Sequence, residues 1–290
     1  MRHIVIVTHE HDEFAKTNYI MRGICQAWVE SGLKVTALRG LGKRVDADLA
    51  VLHVDLTVVP REYLEFMRQY PAAINAAVAD ISKRRISRNL VRRGDGYDGP
   101  VIVKTNLNFG GGREGEVAQK TSLLRKYVRA VRRRLPWSWR AEIGVWDYPI
   151  FDSVAQVPWA VWHNRDLVVE RFLPERRDGL YCMRSWLFLG EAETNTLMYA
   201  NQPIIKSRVA VRKEPAEVPD ELRQMRRDLG FDYGKFDYGI VDGRVVLYDA
   251  NRTPVVGDPA LYEPLFKVLA PGIEAFGNER TKIVNAMAGT

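Results

Sequence analysis

The first part of the chain has the hydrophobic pattern of a parallel α/β sheet. Three short apolar runs are typical of buried strands: 3–8, 34–38 and 48–54. Between the first two runs, Ile20, Ile24 and Trp28 recur at helical spacing. Gly32 follows them at the position where a glycine commonly ends a helix, and a second helix is predicted at 61–70. This order of elements predicts a small α/β domain that ends near residue 80.

Beyond this point the predicted strands are separated by turn-rich and basic stretches. Apolar runs predict three more strands: 101–104 (VIVK), 167–175 (LVVERFLPE) and 181–190 (YCMRSWLFLG). The segment 218–230 has helical periodicity and ends at Gly230. The segment 235–254, KFDYGIVDGRVVLYDANRTP, predicts a hairpin that turns at Asp242 and Gly243. These changes of pattern predict three domains: 1–80, 81–175 and 176–290.

Composition predicts a folded protein without a membrane span. The 290 residues are 46% hydrophobic and 27% charged, which are ordinary values for globular domains. No apolar run approaches the roughly 20 residues of a spanning helix, and the first residues lack the pattern of a signal peptide. Cys25 and Cys182 are too few and too far apart in sequence to predict a disulfide framework or structural zinc. We therefore expect a soluble protein of the reducing cytoplasm, with no membrane partner.

The positive charge is concentrated in two segments, 81–93 and 125–134. The net charge of +7 and the pI of 9.4 suit a nucleic-acid partner and equally an enzyme with phosphate or carboxylate ligands. Apolar residues recur at helical spacing in and beside the second segment: Leu124, Val128, Val131 and Leu135. The opposite face then carries Arg129, Arg132 and Arg133, either as a solvated surface or as a contact for an acidic substrate, an acidic peptide or a nucleic acid.

A glycine-rich segment follows the strand VIVK. It satisfies the pattern GxGxxG through Gly110, Gly112 and Gly115. A dinucleotide fold is excluded because no acid follows about 20 residues later, and a protein kinase because Lys104 precedes the glycines. The segment 105–115 is then either a plain surface loop or a flexible loop that closes over a polyphosphate. Lys104, at the end of its strand, correspondingly reaches either solvent or a phosphate.

Acidic side chains interrupt strands that are otherwise apolar. Asp237 and Asp249 lie inside the two strands of the hairpin, and Asn251 lies on the same face as Asp249. Two adjacent strands thus bring together three oxygen ligands of the kind that Mg²⁺ or Mn²⁺ prefers, unless they are merely polar residues near a turn. Glu170 needs a partner, because an unpaired buried carboxylate is costly. That partner is either an arginine or the hydroxyl and amino groups of a nucleotide, which Asp178 also suits.

In this order the segments resemble the ATP-grasp superfamily over about residues 1–257. The resemblance is carried by the α/β opening, VIVK with its glycine-rich segment, the strand VVERFLPE and the ending FDYGIVDGRVVLYDANRTP. It implies an α/β ATP-grasp fold, in which an N-terminal preATP-grasp domain precedes two α+β lobes that sandwich the nucleotide. Asp249 stands where the family usually has glutamate, and the segment 116–160 matches no subfamily.

The resemblance also implies roles for individual residues. Two lysines and the glycine-rich segment would contact the phosphates of ATP, and the strand at 167–175 would form the hinge over its adenine. The nucleotide-binding residues it implies are Lys83, Lys104, Gly110, Gly111, Gly112, Glu170, Phe172 and Asp178. The metal ligands it implies are Asp237, Asp249 and Asn251. The cations it implies at the transition state are Arg184, Lys235 and Arg252.

The resulting prediction is an ATP-dependent carboxylate-amine ligase that forms an amide through an acyl phosphate. Its partners would be ATP with Mg²⁺ or Mn²⁺, a small-molecule or peptide carboxylate, and an amine. A small-molecule kinase on the same fold is the first alternative, because it needs the same ATP site. The second is a non-catalytic protein that binds nucleic acid or another partner through the arginines. The sequence leaves the substrates and the oligomeric state open, and it is compatible with a dimer.

Overall fold

The computed structural model describes residues 1–121, 123–132 and 134–277. Within these residues the strands form sheets of four, three and six strands. The strand and helix predictions are largely confirmed, and the main addition is two strands that the apolar pattern did not predict. Along the described part of the chain, none of the helices is both long enough and apolar enough to cross a bilayer.

The first sheet is parallel and has a helix on each face. Its strands are β1 (His3–Thr8), β2 (Lys34–Arg39), β3 (Leu49–His53) and β4 (Ala73–Ile74). They lie in the order β2, β1, β3, β4. Helix α1 (Ile20–Glu30) packs on the face that holds Ile4 and Ile6, and helix α2 (Arg61–Met67) packs on the face of Val5 and Val7. The alternation of β1 therefore buries both faces, which explains why its sequence is apolar throughout.

The second sheet is small and antiparallel. Its strands are β5 (Val101–Thr105), β6 (Ile150–Phe151) and β7 (Leu167–Arg171), with β5 in the centre. The helices near it are α3 (Lys83–Ile86), α4 (Gly112–Thr121), α5 (Leu123–Arg132) and α6 (Trp159–His163). The strand predicted at 167–175 ends earlier than expected, since Pro174 lacks the N–H that a ladder requires.

The third sheet is the largest and is antiparallel. Its strands are β8 (Glu175–Arg177), β9 (Leu180–Leu189), β10 (Ala192–Ala200), β11 (Arg212–Pro215), β12 (Tyr233–Val241) and β13 (Arg244–Asn251). The predicted hairpin is confirmed as β12 and β13, and Asp242 and Gly243 both have positive φ at its turn. Strands β10 and β11 were not predicted, because AETNTLMYA and RKEP contain too many polar residues to form an apolar run. The predicted helix at 218–230 is α7 (Asp220–Asp228).

The last α-helix among the described residues returns to the first sheet. Helix α8 (Glu263–Leu269) packs on α1, where a side chain on Gly23 would lie 2.2 Å from the ring of Phe266. The indole Nε1 of Trp28 also donates to the carbonyl of Ala270 at 2.8 Å. The sheets occupy 3–74, 101–171 and 175–251, and the division into domains at residues 80 and 175 stays a prediction. Helix α8 therefore packs beside the first sheet, although it follows the third sheet in sequence.

Candidate functional site

One cavity of about 780 Å³ lies where elements of the three sheets converge. We refer to it as the main cavity. It is lined by most of the residues that the sequence predicted for nucleotide, metal and phosphate: Lys83, Lys104, Glu170, Phe172, Lys235, Asp237, Asp249 and Asn251. Residues from widely separated parts of the chain therefore meet in one place, which is the arrangement expected of a ligand site.

The hairpin of β12 and β13 presents four polar residues on one face. Lys235 lies directly opposite Asn251, and Asp237 lies directly opposite Asp249. A register shift immediately after Asp237 ends this regular pairing. Because directly opposed residues of an antiparallel pair share a face, the hairpin supplies a compact polar patch that neither strand could form alone.

Lysines neutralise both carboxylates of this patch. Lys83 Nζ contacts Asp249 Oδ1, and Lys235 Nζ lies 2.9 Å from Asp237 Oδ2. Burial alone would raise the pKa of Asp249, but Lys83, together with Lys206 and Lys235, outweighs burial and holds that pKa below its ordinary value. Burial likewise opposes the charge on Lys235, and the Asp237 carboxylate raises the pKa of this lysine above the ordinary value. Asp249 and Lys235 are therefore charged near neutral pH.

The donor set fits a hard divalent cation that is completed by a ligand. Asp237 Oδ1 is buried and has no hydrogen-bond partner within the part of the chain that the structure describes. The described residues contain no group of three or more histidines, cysteines, aspartates and glutamates suited to a metal. Two carboxylates and the amide of Asn251 are too few for a closed all-protein site, but they suit Mg²⁺, which usually keeps water and phosphate oxygens.

A third lysine–carboxylate pair lies on the second sheet. Lys104 on β5 and Glu170 on β7 are joined by a contact of 2.7 Å between Nζ and Oε2. Glu170 Oε1 is buried and, among the described residues, without a partner. The alternative in which an arginine pairs with Glu170 is wrong, since the partner is Lys104. Both side chains line the main cavity, so a ligand there would find one cation and one free carboxylate oxygen.

The end of the main cavity beside the Lys104–Glu170 pair is largely apolar. Its lining includes Ile102, Phe172, Leu173, Tyr181, Met183, Ile205, Leu247 and Tyr248. The hydroxyl of Tyr248 donates to the carbonyl of Leu173 at 2.9 Å and fixes the chain after β7. The amide of Phe172 donates to the carbonyl of Pro100 at 2.8 Å, so this N–H is already used within the protein. An aromatic ring would fit between such walls, with the charged pairs lying on one side of it.

The two arginines predicted as transition-state cations lie elsewhere. The guanidinium of Arg184 is buried against Glu175, whose Oε2 also accepts from the amide of Ile240 at 2.7 Å. Arg252 is fully buried and donates to main-chain carbonyls of Val54, Leu56, Thr57 and Val78. Neither lines the main cavity. Their positions indicate a structural role, because each satisfies buried oxygens inside the protein.

The lining of the main cavity also does not include Asp178 or the three predicted glycines, Gly110, Gly111 and Gly112. Asp178 is exposed at a turn with φ of 52° and lies 3.5 Å from Arg212. The predicted loop at 105–115 is a sharp turn that leads into a helix: Phe109, Gly110 and Gly111 have positive φ, and α4 begins at Gly112. The exposed ring of Phe109, rather than Gly110, Gly111 or Gly112, borders the cavity at this point.

Several lining residues were not predicted from the sequence: Asp55, Thr57, Asn108, Arg113, Glu114 and Lys206. Asn108 Oδ1 accepts from Lys83 Nζ at 2.8 Å, so it helps to hold that lysine. Lys206 lies close enough to Asp249 to lower the pKa of that carboxyl, although it follows Lys83 in that effect. Asp55 was open to prediction, because it follows β3 at the carboxyl edge of a parallel sheet, where ligands commonly bind. Asn108, Arg113 and Glu114 lie within the predicted loop at 105–115, whereas Thr57 and Lys206 had no signal in the sequence.

The arginine-rich segment forms the predicted helix, α5. In the apolar stripe of this segment, Val128, Val131 and Leu135 are exposed. Arg132 lies 3.3 Å from Asp166. Residue 133 and the side chain of Arg129 lie outside the described residues. The two interpretations of the basic face, as a solvated surface or as a contact, therefore stay predictions.

Comparison with known proteins identifies the fold. An ATP-grasp RimK-domain protein from Sphaerobacter thermophilus DSM 20745 is 12% identical, with a TM-score of 0.51 over 94% of this chain and 99% of that one. D-alanine–D-alanine ligase from Bacillus anthracis is 9% identical, with a TM-score of 0.48 over 99% of this chain and 100% of that one. No family model matches the sequence, and a search of curated proteins finds no match. At this level of identity the likeness establishes the architecture alone.

Proposed function

We propose that this chain, which has the ATP-grasp fold, is an ATP-dependent ligase that joins a carboxylate to an amine. The observation that supports the proposal is the set of three lysine–carboxylate pairs beside an apolar end of one cavity: Lys83 with Asp249, Lys104 with Glu170 and Lys235 with Asp237. A magnesium nucleotide has matching groups, because its phosphates attract the lysines and its metal attracts the carboxylates. In the structure, these lysines and carboxylates pair with one another.

The nucleotide would lie with its adenine in the apolar end of the main cavity. Phe172, Leu173 and Tyr248 would contact the ring, and Glu170 Oε1 would accept a hydrogen bond from the nucleotide. Lys83 and Lys104 would then turn from their carboxylates to the phosphates. On binding, each of these side chains would exchange a partner within the protein for a partner on the ligand. No buried charge would then be left without a partner.

Asp237, Asp249 and Asn251 would hold Mg²⁺ against the phosphates. The metal would supply neutralisation of the charge on the transferring phosphoryl group. Lys235 lies on the same face of the hairpin and stays a candidate cation for that charge. Lys206, which lines the same cavity, replaces Arg184 and Arg252 in this role. Their ammonium groups would act by position and charge, without covalent participation.

The reaction that suits this site has two steps. A carboxylate oxygen of the first substrate attacks the γ-phosphorus in line, the new O–P bond forms, and the bond to the bridging oxygen of ADP breaks. The amine, as its neutral form, then attacks the carbonyl carbon of the acyl phosphate. The C–N bond forms, the C–O bond to phosphate breaks with its electron pair leaving on the phosphate, and the nitrogen loses a proton. We place the reaction in the cytoplasm, where ATP and reduced thiols are found.

The test is a screen for ATP consumption with pairs of acids and amines drawn from amino acids, short peptides and hydroxy acids. A ligase releases one inorganic phosphate for each ADP, and only when both substrates are present. A kinase produces ADP while the phosphate stays on its substrate. ADP formation with no free phosphate would therefore overturn the ligase proposal.

A further inference from the structure

The main cavity continues beyond the predicted metal face toward the first sheet. The residues that line this part are Asp55, Thr57, Arg113, Glu114 and Thr253, and we call it the acidic end. Asp55 and Thr57 follow β3, Arg113 and Glu114 lie in the first turn of α4, and Thr253 follows β13. None of these residues is needed by the nucleotide or the metal as placed above.

One chain of contacts connects the acidic end to a predicted metal ligand. The hydroxyl of Thr253 donates to Asp55 Oδ1 at 2.6 Å and lies 3.4 Å from Asn251 Oδ1. A single threonine side chain therefore separates the Asp55 carboxylate from the amide that would face Mg²⁺. This places Asp55 at the phosphoryl side of the cavity and not at the adenine side.

A second chain of contacts reaches Glu114 from a phosphate-site lysine. Lys83 donates to the side chain of Asn108 at 2.8 Å, and the amide of Asn108 donates to Thr57 Oγ1 at 2.8 Å. The amide of Thr57 then donates to Glu114 Oε1 at 2.6 Å. Two independent paths thus lead from the metal and phosphate groups to carboxylates at the same end.

The charges at the acidic end favour a cationic ligand. Arg113 is fully engaged, since its Nε lies 2.5 Å from Asp55, its Nη1 lies 2.9 Å from Glu116, and its Nη2 donates to Tyr19 at 2.6 Å. It therefore orients Asp55 and has no free edge for an anion. Glu114 Oε2, by contrast, is buried and without a partner among the residues that the structure describes. A buried carboxylate oxygen in this state gains from an added N–H donor.

We propose that the acidic end binds the amine substrate as its ammonium ion, with Glu114 Oε2 accepting a hydrogen bond from it and Asp55 adding a second negative charge. The bound ammonium ion releases one proton to water before its nitrogen attacks as the neutral amine. The inference rests on the proposed function, in which the amine must approach the acyl phosphate formed at the metal face. An ammonium group supplies three charged N–H donors, so it stabilises the free carboxylate oxygen more than the single neutral O–H donor of a hydroxyl group does. The geometry assigns a basic amine, rather than an alcohol or a thiol, as the second substrate.

The first arm of the test uses the wild-type protein. MgATP is supplied with each acid of a carboxylate panel and with hydroxylamine, which is uncharged near neutral pH and traps acyl phosphates as hydroxamates. Hydroxamate with at least one acid is expected. If no acid gives hydroxamate or ADP, the proposed function itself fails and the assignment of the amine fails with it.

The second arm uses Glu114→Gln, the productive acid, and the amine that gives the highest rate among amino acids and dipeptides. We expect the KM for this amine to rise about tenfold or more while the KM for ATP stays within about twofold, because a charge-assisted hydrogen bond is lost only at the amine. Glu114→Asp, which keeps the charge at a shorter reach, should give an intermediate KM. Glu62→Gln is the matched control, since it removes an exposed carboxylate in the first turn of α2, outside the lining of the main cavity, and should change neither KM.

Three results would overturn the assignment while leaving the ligase proposal standing. An unchanged KM for the amine in Glu114→Gln would remove the acidic end from substrate binding. A raised KM for the acid instead would give the ammonium group to the carboxylate substrate. Turnover with alcohols or thiols at rates equal to amines would remove the selectivity for a cation.

Discussion

At the scale of single residues, strand alternation explains which predicted side chains reach the cavity. Asp237 lies opposite Ser185 in the third sheet, whereas Arg184 lies opposite Tyr238. Since successive residues of a strand face opposite sides, Arg184 points away from the face that carries Asp237. Arg252 follows Asn251 directly and is buried on main-chain carbonyls. The acids were predictable because they interrupt apolar runs. The face on which each arginine lies could be determined only from the pairing register of the strands.

Removal of the Asp249 charge tests the metal assignment. Asp249→Asn should lower turnover of MgATP by about 100-fold or more, because a carboxylate ligand of the metal is lost. The fold should persist, since the amide oxygen can still accept from Lys83. Kinetics and a thermal unfolding curve measure the two effects. Asp178→Asn, at an exposed turn, is the control and should behave as wild type; equal turnover in Asp249→Asn would rule out this metal site.

Removal of Arg184 tests whether its role is structural. Arg184→Met leaves Glu175 buried without its main cation and should destabilise the protein by about 3 kcal/mol. The double variant Arg184→Met with Glu175→Gln should recover part of that loss, because the unpaired charge is gone. Urea unfolding measures both. If Arg184→Met kept the wild-type stability but strongly lowered kcat, Arg184 would be assigned a role at the transition state instead.

Asp12 gives the molecule a specific pH dependence of stability. Burial, together with the nearby Asp55 carboxylate, raises the pKa of Asp12 to about 6. The folded state then binds a proton that the unfolded chain has already lost, so this group lowers stability as the pH rises from about 4 to 7. Asp12→Asn should therefore stabilise the protein by about 2 kcal/mol at pH 8 and have little effect near pH 4. Urea unfolding at both pH values tests this, and a stabilisation that is equal at both would contradict it.

At the scale of elements, the glycine-rich segment differs most from its sequence-based prediction. Glycines without side chains to pack predict a mobile loop, but here they let the chain turn sharply from β5 into α4. That turn places Asn108, Arg113 and Glu114 in the cavity wall. The glycine-rich pattern indicated where this segment lies in the chain but not which conformation it adopts, since glycine suits both a loop and a tight turn.

Alanine substitutions test whether these glycines form a tight turn or a mobile loop. Gly110 has φ of 67°, and a Cβ there would lie 2.5 Å from the carbonyl oxygen of Ile143. Gly110→Ala should therefore cost about 2 kcal/mol, seen as a Tm lowered by about 5 °C. Gly112 has helical dihedrals and meets no atom closer than 3.4 Å, so Gly112→Ala should keep the wild-type Tm. Equal Tm values for all three proteins would mean that the segment is a loose loop after all.

At the scale of the whole molecule, the order of elements was predictable and their assembly was only partly so. Local periodicity is enough to predict β1, β5 and the β12–β13 hairpin, because each buries an apolar run. The acidic end combines residues after β3, β13 and in α4, and no local pattern links segments so far apart. The return of α8 to α1 was invisible for the same reason.

The central claim is that this cavity uses ATP to activate a carboxylate, and isotope transfer from that carboxylate tests it most directly. The productive acid is labelled with ¹⁸O in its carboxyl group and incubated with the enzyme, MgATP and the amine. If an acyl phosphate forms, one carboxyl oxygen leaves with the phosphate, so mass spectrometry should find one ¹⁸O in each inorganic phosphate released. Inorganic phosphate without ¹⁸O, formed alongside ADP and product, would contradict the account.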